Sequence, residues 1–118
     1  MNKYQAGMQG QQMAEVFLQH KGYRILAKNY RIKSGEIDLV AQHDNYIIFI
    51  EVKYRRGLTY GRPSEAVTST KQQRIIKTAL HYIATRESTE QNYRFDVIEI
   101  LSQGAETEIN HIENAFDV

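Results

Sequence analysis

The run Tyr46-Ile47-Ile48-Phe49-Ile50 constrains the fold more than any other feature, because it is continuously apolar and rich in β-branched residues. A half-buried strand alternates apolar and polar side chains, whereas an unbroken apolar run belongs to a strand covered on both faces. Five residues also fall far short of the roughly 18 that read as a membrane span. The run therefore predicts the middle of a sheet enclosed by other elements. It ends abruptly in charge, at Glu51-Val52-Lys53.

The flanking pattern predicts what encloses that strand. Residues 8–20 read as a helix: Met13, Val16, Phe17 and Leu18 fall at helical spacing among Gln11, Gln12, Glu15 and Gln19, and Gly22 suits its carboxyl end. Residues 23–32 read as extended, with a bend at Asn29. Residues 36–41 and 46–53 read as two strands, joined into a hairpin by the turn signal His43-Asp44-Asn45. Residues 70–86 predict a second helix, opened by Ser69 and Gln72 at capping-box spacing. On its helical wheel Ile75, Ile76, Ala79, Leu80, Tyr82 and Ile83 form a core face, and Lys71, Arg74, Lys77, Thr78 and His81 form a basic one. A strand over 94–101 and a short one around 109–116 complete the chain. The expectation is an α/β fold with a mixed central sheet flanked by helices, in the order α-β-β-β-α-β. No repeat, low-complexity tract or Pro/Gly/Ser-rich linker divides residues 1–118, so one domain is expected.

Composition narrows the function classes. The absence of cysteine removes disulfides, thiolate nucleophiles and Cys-ligated metal centres together. The amino-terminal residues lack the apolar core of a secretory signal, and the expected compartment is the cytoplasm, with no membrane partner. A net charge of +1 hides a bipolar chain. Residues 20–77 carry twelve Lys/Arg against five acids, and residues 78–118 carry two against eight. The basic block suggests a polyanionic partner, and Arg55, Arg56, Arg62, Lys71, Arg74 and Lys77 are its candidate phosphate contacts. Tyr54 and Tyr60 read first as packing residues, with base stacking as the alternative. The four histidines (His20, His43, His81, His111) show no metal-ligand spacing, and no phosphate-binding glycine loop is present.

One constellation carries chemistry. By strand alternation Glu36 and Asp38 share a face, with Ile37 and Leu39 opposite; Glu51 and Lys53 share another, with Ile50 and Val52 opposite. A hairpin that brings these polar faces together gathers three carboxylates and one ammonium at the end of a central strand. Unrelieved, that arrangement costs several kcal/mol in repulsion and desolvation. Mg²⁺ or Mn²⁺ would relieve it, because hard cations take oxygen ligands and need only one or two carboxylates beside water and phosphate. Lys53 would then hold the attacking water or offset charge on the phosphate. Pairing of Glu51 with Lys53 along one strand is poor geometry, so the two are expected to face other partners.

The spacing Asp38-x12-Glu51-Val52-Lys53 resembles the D…(D/E)-x-K motif of restriction-endonuclease-like nucleases, Holliday-junction resolvases included. The whole chain more closely resembles the YraN-type family of uncharacterised bacterial proteins. The match rests on Gly22-Tyr23-Arg24-Ile25-Leu26-Ala27-Lys28-Asn29-Tyr30-Arg31, Gly35-Glu36-Ile37-Asp38-Leu39-Val40, Phe49-Ile50-Glu51-Val52-Lys53-Tyr54-Arg55 and Arg94-Phe95-Asp96-Val97. Gly61-x-Pro63-x-Glu65-Ala66-Val67 and Asn114-Ala115-Phe116 agree as well. The resemblance implies a restriction-endonuclease-like fold, metal ligands at Asp38 and Glu51, and a catalytic set of Asp38, Glu51, Lys53 and Glu36. It also exposes a departure. Such proteins usually carry Gly-x-x-Gly-Glu near the start, and this chain reads Gly7-Met8-Gln9-Gly10-Gln11, one negative charge fewer. Glu15, one helical turn later, is the nearest acid able to replace it.

The expected function is divalent-metal-dependent hydrolysis of phosphodiester bonds in DNA, branched or flapped DNA in particular. A non-catalytic nucleic-acid-binding module of the same fold is the alternative, and an adaptor using the acidic C-terminal third is another. A homodimer would let so small a chain engage two strands.

Overall fold

The computed structural model describes residues 2–57, 67–86 and 91–117, apart from the side chain of Lys3. Its elements are α1 (Lys3–His20), β1 (Arg24–Ile32), β2 (Gly35–His43), β3 (Tyr46–Arg55), α2 (Ser69–Ala84), β4 (Asn92–Gln103) and β5 (Glu106–Phe116). The five strands lie in sequence order, so the apolar run sits in the central strand, as its composition requires. β1, β2 and β3 form an antiparallel meander, β4 joins β3 in parallel, and β5 returns antiparallel to β4. A parallel pair cannot be closed by a tight turn, and α2 lies in that crossover. The last strand is 11 residues long, not short, so the order gains a full element at its end.

Two apolar layers cover the sheet. Ile47 and Phe49 pack with Ile75, Ile76, Ala79 and Tyr82 of α2. Ile48 and Ile50 pack with Ala14 and Leu18 of α1. Each consecutive residue of the run thus serves the opposite layer, which explains why none is polar. Burying one such side chain contributes about 1.5–3 kcal/mol.

Several expectations are corrected. α1 starts at Lys3 instead of residue 8, because Asn2 and Gln5 exchange side-chain hydrogen bonds with each other's backbone N–H in a capping box. Val16 is 54% exposed, on the outer side of that helix. In α2 the cap is Thr68, which accepts from the Lys71 N–H, while the Gln72 amide donates back to the Val67 carbonyl; Ser69 is the first helical residue. Leu80 is exposed, and Thr78 is fully buried. The Thr78 hydroxyl donates to the Arg74 carbonyl and lies against Gly35, where a Cβ would come within 2.5 Å of it. Glycine at this position lets α2 close onto the beginning of β2.

Candidate functional site

The site forms where the meander opens. β2 and β3 are paired from His43 and Tyr46 as far as Leu39 and Ile50. Beyond that point Asp38 intervenes: its Oδ2 accepts from the Val52 N–H at 2.8 Å. A backbone donor that would otherwise lack a strand partner is thereby satisfied by a side chain. The expected alternation also breaks here. Ile37 packs under α2 but Leu39 packs under α1, so the two do not share a face. Opposite this break, β1 carries Asn29 at φ 51°, a left-handed conformation that asparagine tolerates better than most residues.

The opening is a cleft of 690 Å³, walled by one stripe of α1 and by the ends of β2 and β3. Glu36, Asp38, Glu51 and Lys53 all line it. Asp38 and Glu51 face each other closely enough for each carboxyl to act on the other's ionisation. Burial pushes the Glu51 carboxyl up to about 8, and the neighbouring Asp38 adds to the rise against the opposing effect of Lys53. Burial likewise raises Asp38, although the Val52 N–H, Glu51 and Lys53 favour its ionised form. Burial and the neighbouring carboxylate thus both favour protonation of the pair near neutral pH. Lys53 lies 3.4 Å from Glu51, with side chains 12% and 14% exposed respectively, so the strand neighbours do pair.

The other residues predicted to act here divide. Lys71 reaches Lys53 from α2; that contact, then burial, holds it below the ordinary lysine range. Arg55 also bears on Lys71 electrostatically, while its own Nη1 donates to the Tyr54 carbonyl. Arg74 and Lys77 stand exposed along α2. Arg56 belongs elsewhere: it lines a separate hollow with Gln9, Ser102 and Gln103. Arg62 lies outside the described residues, as does Tyr60. Tyr54 packs against Gly10, where an added Cβ would meet it at 2.9 Å, so it is a packing residue.

Sequence reading missed part of the wall. Lys28, Asn29 and Arg31 of β1 line the cleft. Arg31 pairs with Glu36 at 3.1 Å and Lys28 with Glu15 at 2.9 Å. Asn29 donates to Glu36 and exchanges two amide hydrogen bonds with Gln11. Gln11 is thus delivered to the cleft by α1, but its amide is held by Asn29. The two-residue turn at Lys33 and Ser34 was the available signal, because it sets Arg31 across from Glu36.

A second polar cluster lies elsewhere. The ligand atoms of Asp96, His111 and Glu113 lie within 4.8 Å of one another, a grouping able to hold a metal. The oxygens of Asp96 are already occupied by Arg94, by the His111 ring and by the Asn114 N–H. Burial alone would raise the Asp96 carboxyl, but these donors outweigh it and hold it below the ordinary range. Lys21 lies 2.8 Å from the remaining His111 nitrogen. The cluster ties β4 and β5 to the end of α1. It also removes Asp96 from the acidic C-terminal surface, and Glu99 is buried as well.

Fold and cleft define an α/β protein with a buried carboxylate pair where β2 and β3 part. The chain belongs to the uncharacterised protein family UPF0102, whose pattern matches residues 10–100. It is 42% identical to a UPF0102 protein of Caldicellulosiruptor saccharolyticus over 98% of this chain and all of that one. A relative in Caldanaerobacter subterraneus subsp. tengcongensis is 44% identical over 98% of each chain, and one in Clostridium novyi 46% over 93% of each. Among the described residues no helix is long and apolar enough to cross a membrane.

Proposed function

We infer that this chain is a divalent-metal-dependent nuclease of restriction-endonuclease-like fold that hydrolyses phosphodiester bonds in DNA, branched or flapped DNA in particular. The observation that carries the reading is the Asp38–Glu51 pair, two facing carboxylates whose burial raises both above the ordinary carboxylate range. Such a pair suits Mg²⁺ or Mn²⁺, which asks for one or two protein carboxylates and fills its other positions with water and phosphate oxygens. Asp38 and Glu51 would hold the ion, and when bound it supplies an activated water and a polarised phosphoryl oxygen. Lys53 stands beside Glu51 to neutralise charge that develops on the phosphate. Glu36, fixed by Arg31 and Asn29, keeps a further oxygen at the cleft wall. Lys71, Arg74 and Lys77 extend the positive surface along α2 for the flanking phosphates.

One observation favours a second reading, a nucleic-acid-binding module without cleavage: the cleft holds Gln11 as an amide locked to Asn29. A labelled panel of junction, flap, single-stranded and duplex DNA, incubated with Mg²⁺, Mn²⁺ or EDTA, separates the two. The nuclease reading expects metal-dependent products that disappear in Asp38→Asn. Tight binding with no product in either metal would leave the module.

A further inference from the structure

The amino-terminal turns of α1 carry a feature that the carboxylate chemistry does not use. Tyr4 is 74% exposed and Met8 48% exposed, and both line the same cleft as Asp38 and Glu51. They stand at i and i+4, one above the other on a single helix face, with Gly7 beside them. Around Gly7 nothing lies within 4 Å of where a Cβ would be, so the surface there is flat and open. The capping box at Asn2 fixes this turn, which makes Tyr4 part of an ordered wall. Exposed aromatic and thioether side chains in water lose the stabilisation that burial would give them.

The place of this helix face beside the proposed cutting site selects the occupant. Before Glu15 the sequence contains no acidic residue, and the first turn of α1 contains none. A helix amino terminus free of acids tolerates a passing polyanion. Across the cleft stand Lys28 and Arg31, each balanced by an acid of the same wall, Glu15 and Glu36. From Tyr4 to Gln11 the helix rises about 10 Å at about 1.5 Å per residue, roughly three nucleotide steps at the spacing of one DNA strand. An exposed aromatic platform in the same cleft as the paired carboxylates, about three nucleotide steps along the helix from Gln11, matches the one nucleic-acid group that is both planar and apolar on its faces.

We propose that Tyr4, with Met8 beneath it, is a stacking platform for an unpaired nucleobase near the bond to be cut, so that the site selects strands with single-stranded character over uninterrupted duplex. This rests on the nuclease reading and deepens it by naming the substrate class. A base in a duplex has both faces covered by its neighbours, whereas a flap or an overhang offers a free face. Tyr54, expected as a packing residue with stacking as its alternative, is engaged with Gly10, whereas Tyr4 stands exposed in the cleft.

The experiment measures binding of the full chain to a labelled blunt duplex and to the same duplex with a single-stranded overhang, in Ca²⁺, alongside cleavage of both in Mn²⁺. Wild type should prefer the overhang by about 5- to 150-fold, the value of stacking one base. Tyr4→Ala should lose that preference with blunt-duplex affinity unchanged, and Tyr4→Phe should keep it. The chain contains no tryptophan, so Tyr4→Trp introduces a unique fluorophore at the platform. Its emission should be quenched by the overhang DNA and not by the blunt duplex. Overturning results are a Tyr4→Ala variant that retains the preference, one that loses both affinities equally, or an indole that stays bright at saturating overhang DNA. If wild type cleaves in those cases, only the platform falls. A wild type that neither binds nor cleaves either DNA overturns the nuclease reading and the platform with it.

Discussion

Replacing Glu51 with glutamine should make the protein more stable as the pH rises, relative to the wild type. The folded protein holds the Glu51 carboxyl protonated up to about pH 8, against an ordinary value of 4.5. Between those values the folded state binds a proton that the unfolded chain has released, so wild-type stability must fall with rising pH. At about 1.4 kcal/mol for each pH unit between the two values, the full loss has a ceiling of about 5 kcal/mol, of which about 3 kcal/mol is reached by pH 7. Water in the open cleft screens the pair and makes this an upper bound. The substituted glutamine cannot ionise. The difference between Glu51→Gln and wild type should therefore move toward the variant by up to about 3 kcal/mol between pH 5 and pH 8, or roughly 10 °C in melting temperature. Urea unfolding at half-unit pH intervals, without divalent metal, measures it. Parallel stability profiles for the two proteins would show that Glu51 is ionised in the fold, and the raised carboxyl would be refuted.

Three further outcomes follow from the geometry. Gln11→Glu exchanges one of the two amide bonds to Asn29 for a negative charge on the cleft wall, and should tighten Mg²⁺ or Mn²⁺ binding by calorimetry; unchanged affinity would place residue 11 out of the ion's reach. Asp96→Asn leaves the Arg94 guanidinium with Glu113 in place of two carboxylate partners and should cost about 1–3 kcal/mol at pH 7. Because the Asp96 carboxyl is held below its ordinary value, the stability it contributes is present above that value and lost as the pH falls through its folded value, so the mutant penalty should shrink in strong acid. Gly35→Ala forces a methyl group onto the Thr78 hydroxyl and the Arg74 carbonyl, and should destabilise by about 1–3 kcal/mol, with hydrogen exchange rising first in α2; wild-type stability would mean that α2 can withdraw freely.

The central strand and the residues that close it were legible in the sequence because they are governed by local rules. Apolar continuity identified β3, and the short turn at Asp44 and Asn45 brought Asp38 to the end of the β2–β3 ladder. What was hidden depended on neighbours remote in sequence. Thr78 reads as a polar wheel position, yet it is buried because Gly35, 43 residues earlier, offers no side chain. Gly10 lies inside the expected helix, where glycine by itself weakens helical structure. Gly10 is required instead by the close approach of Tyr54. Asn29 and Arg31 show in the sequence only as a bend, because their partner Glu36 lies on the next strand across the β1–β2 turn. Glu51 and Lys53 were expected apart on the basis of an ideal strand, and the end of a ladder is not one.

The order of strands also bears on how the protein reaches its folded state. Asp38 and Glu51 are 13 positions apart and are joined by neighbouring strands of a meander. Pairing of β3 with β4, by contrast, unites Ile47 with Tyr93 across 46 positions and waits on the docking of α2. Short loops close at little entropic cost and long ones later. The two carboxylates therefore meet while one side of β3 still lies open to water, where charge is cheaply solvated. Their repulsion is felt in full only when β4 and α2 arrive and exclude that water, so its energetic burden falls on the last stage of assembly and spares the first.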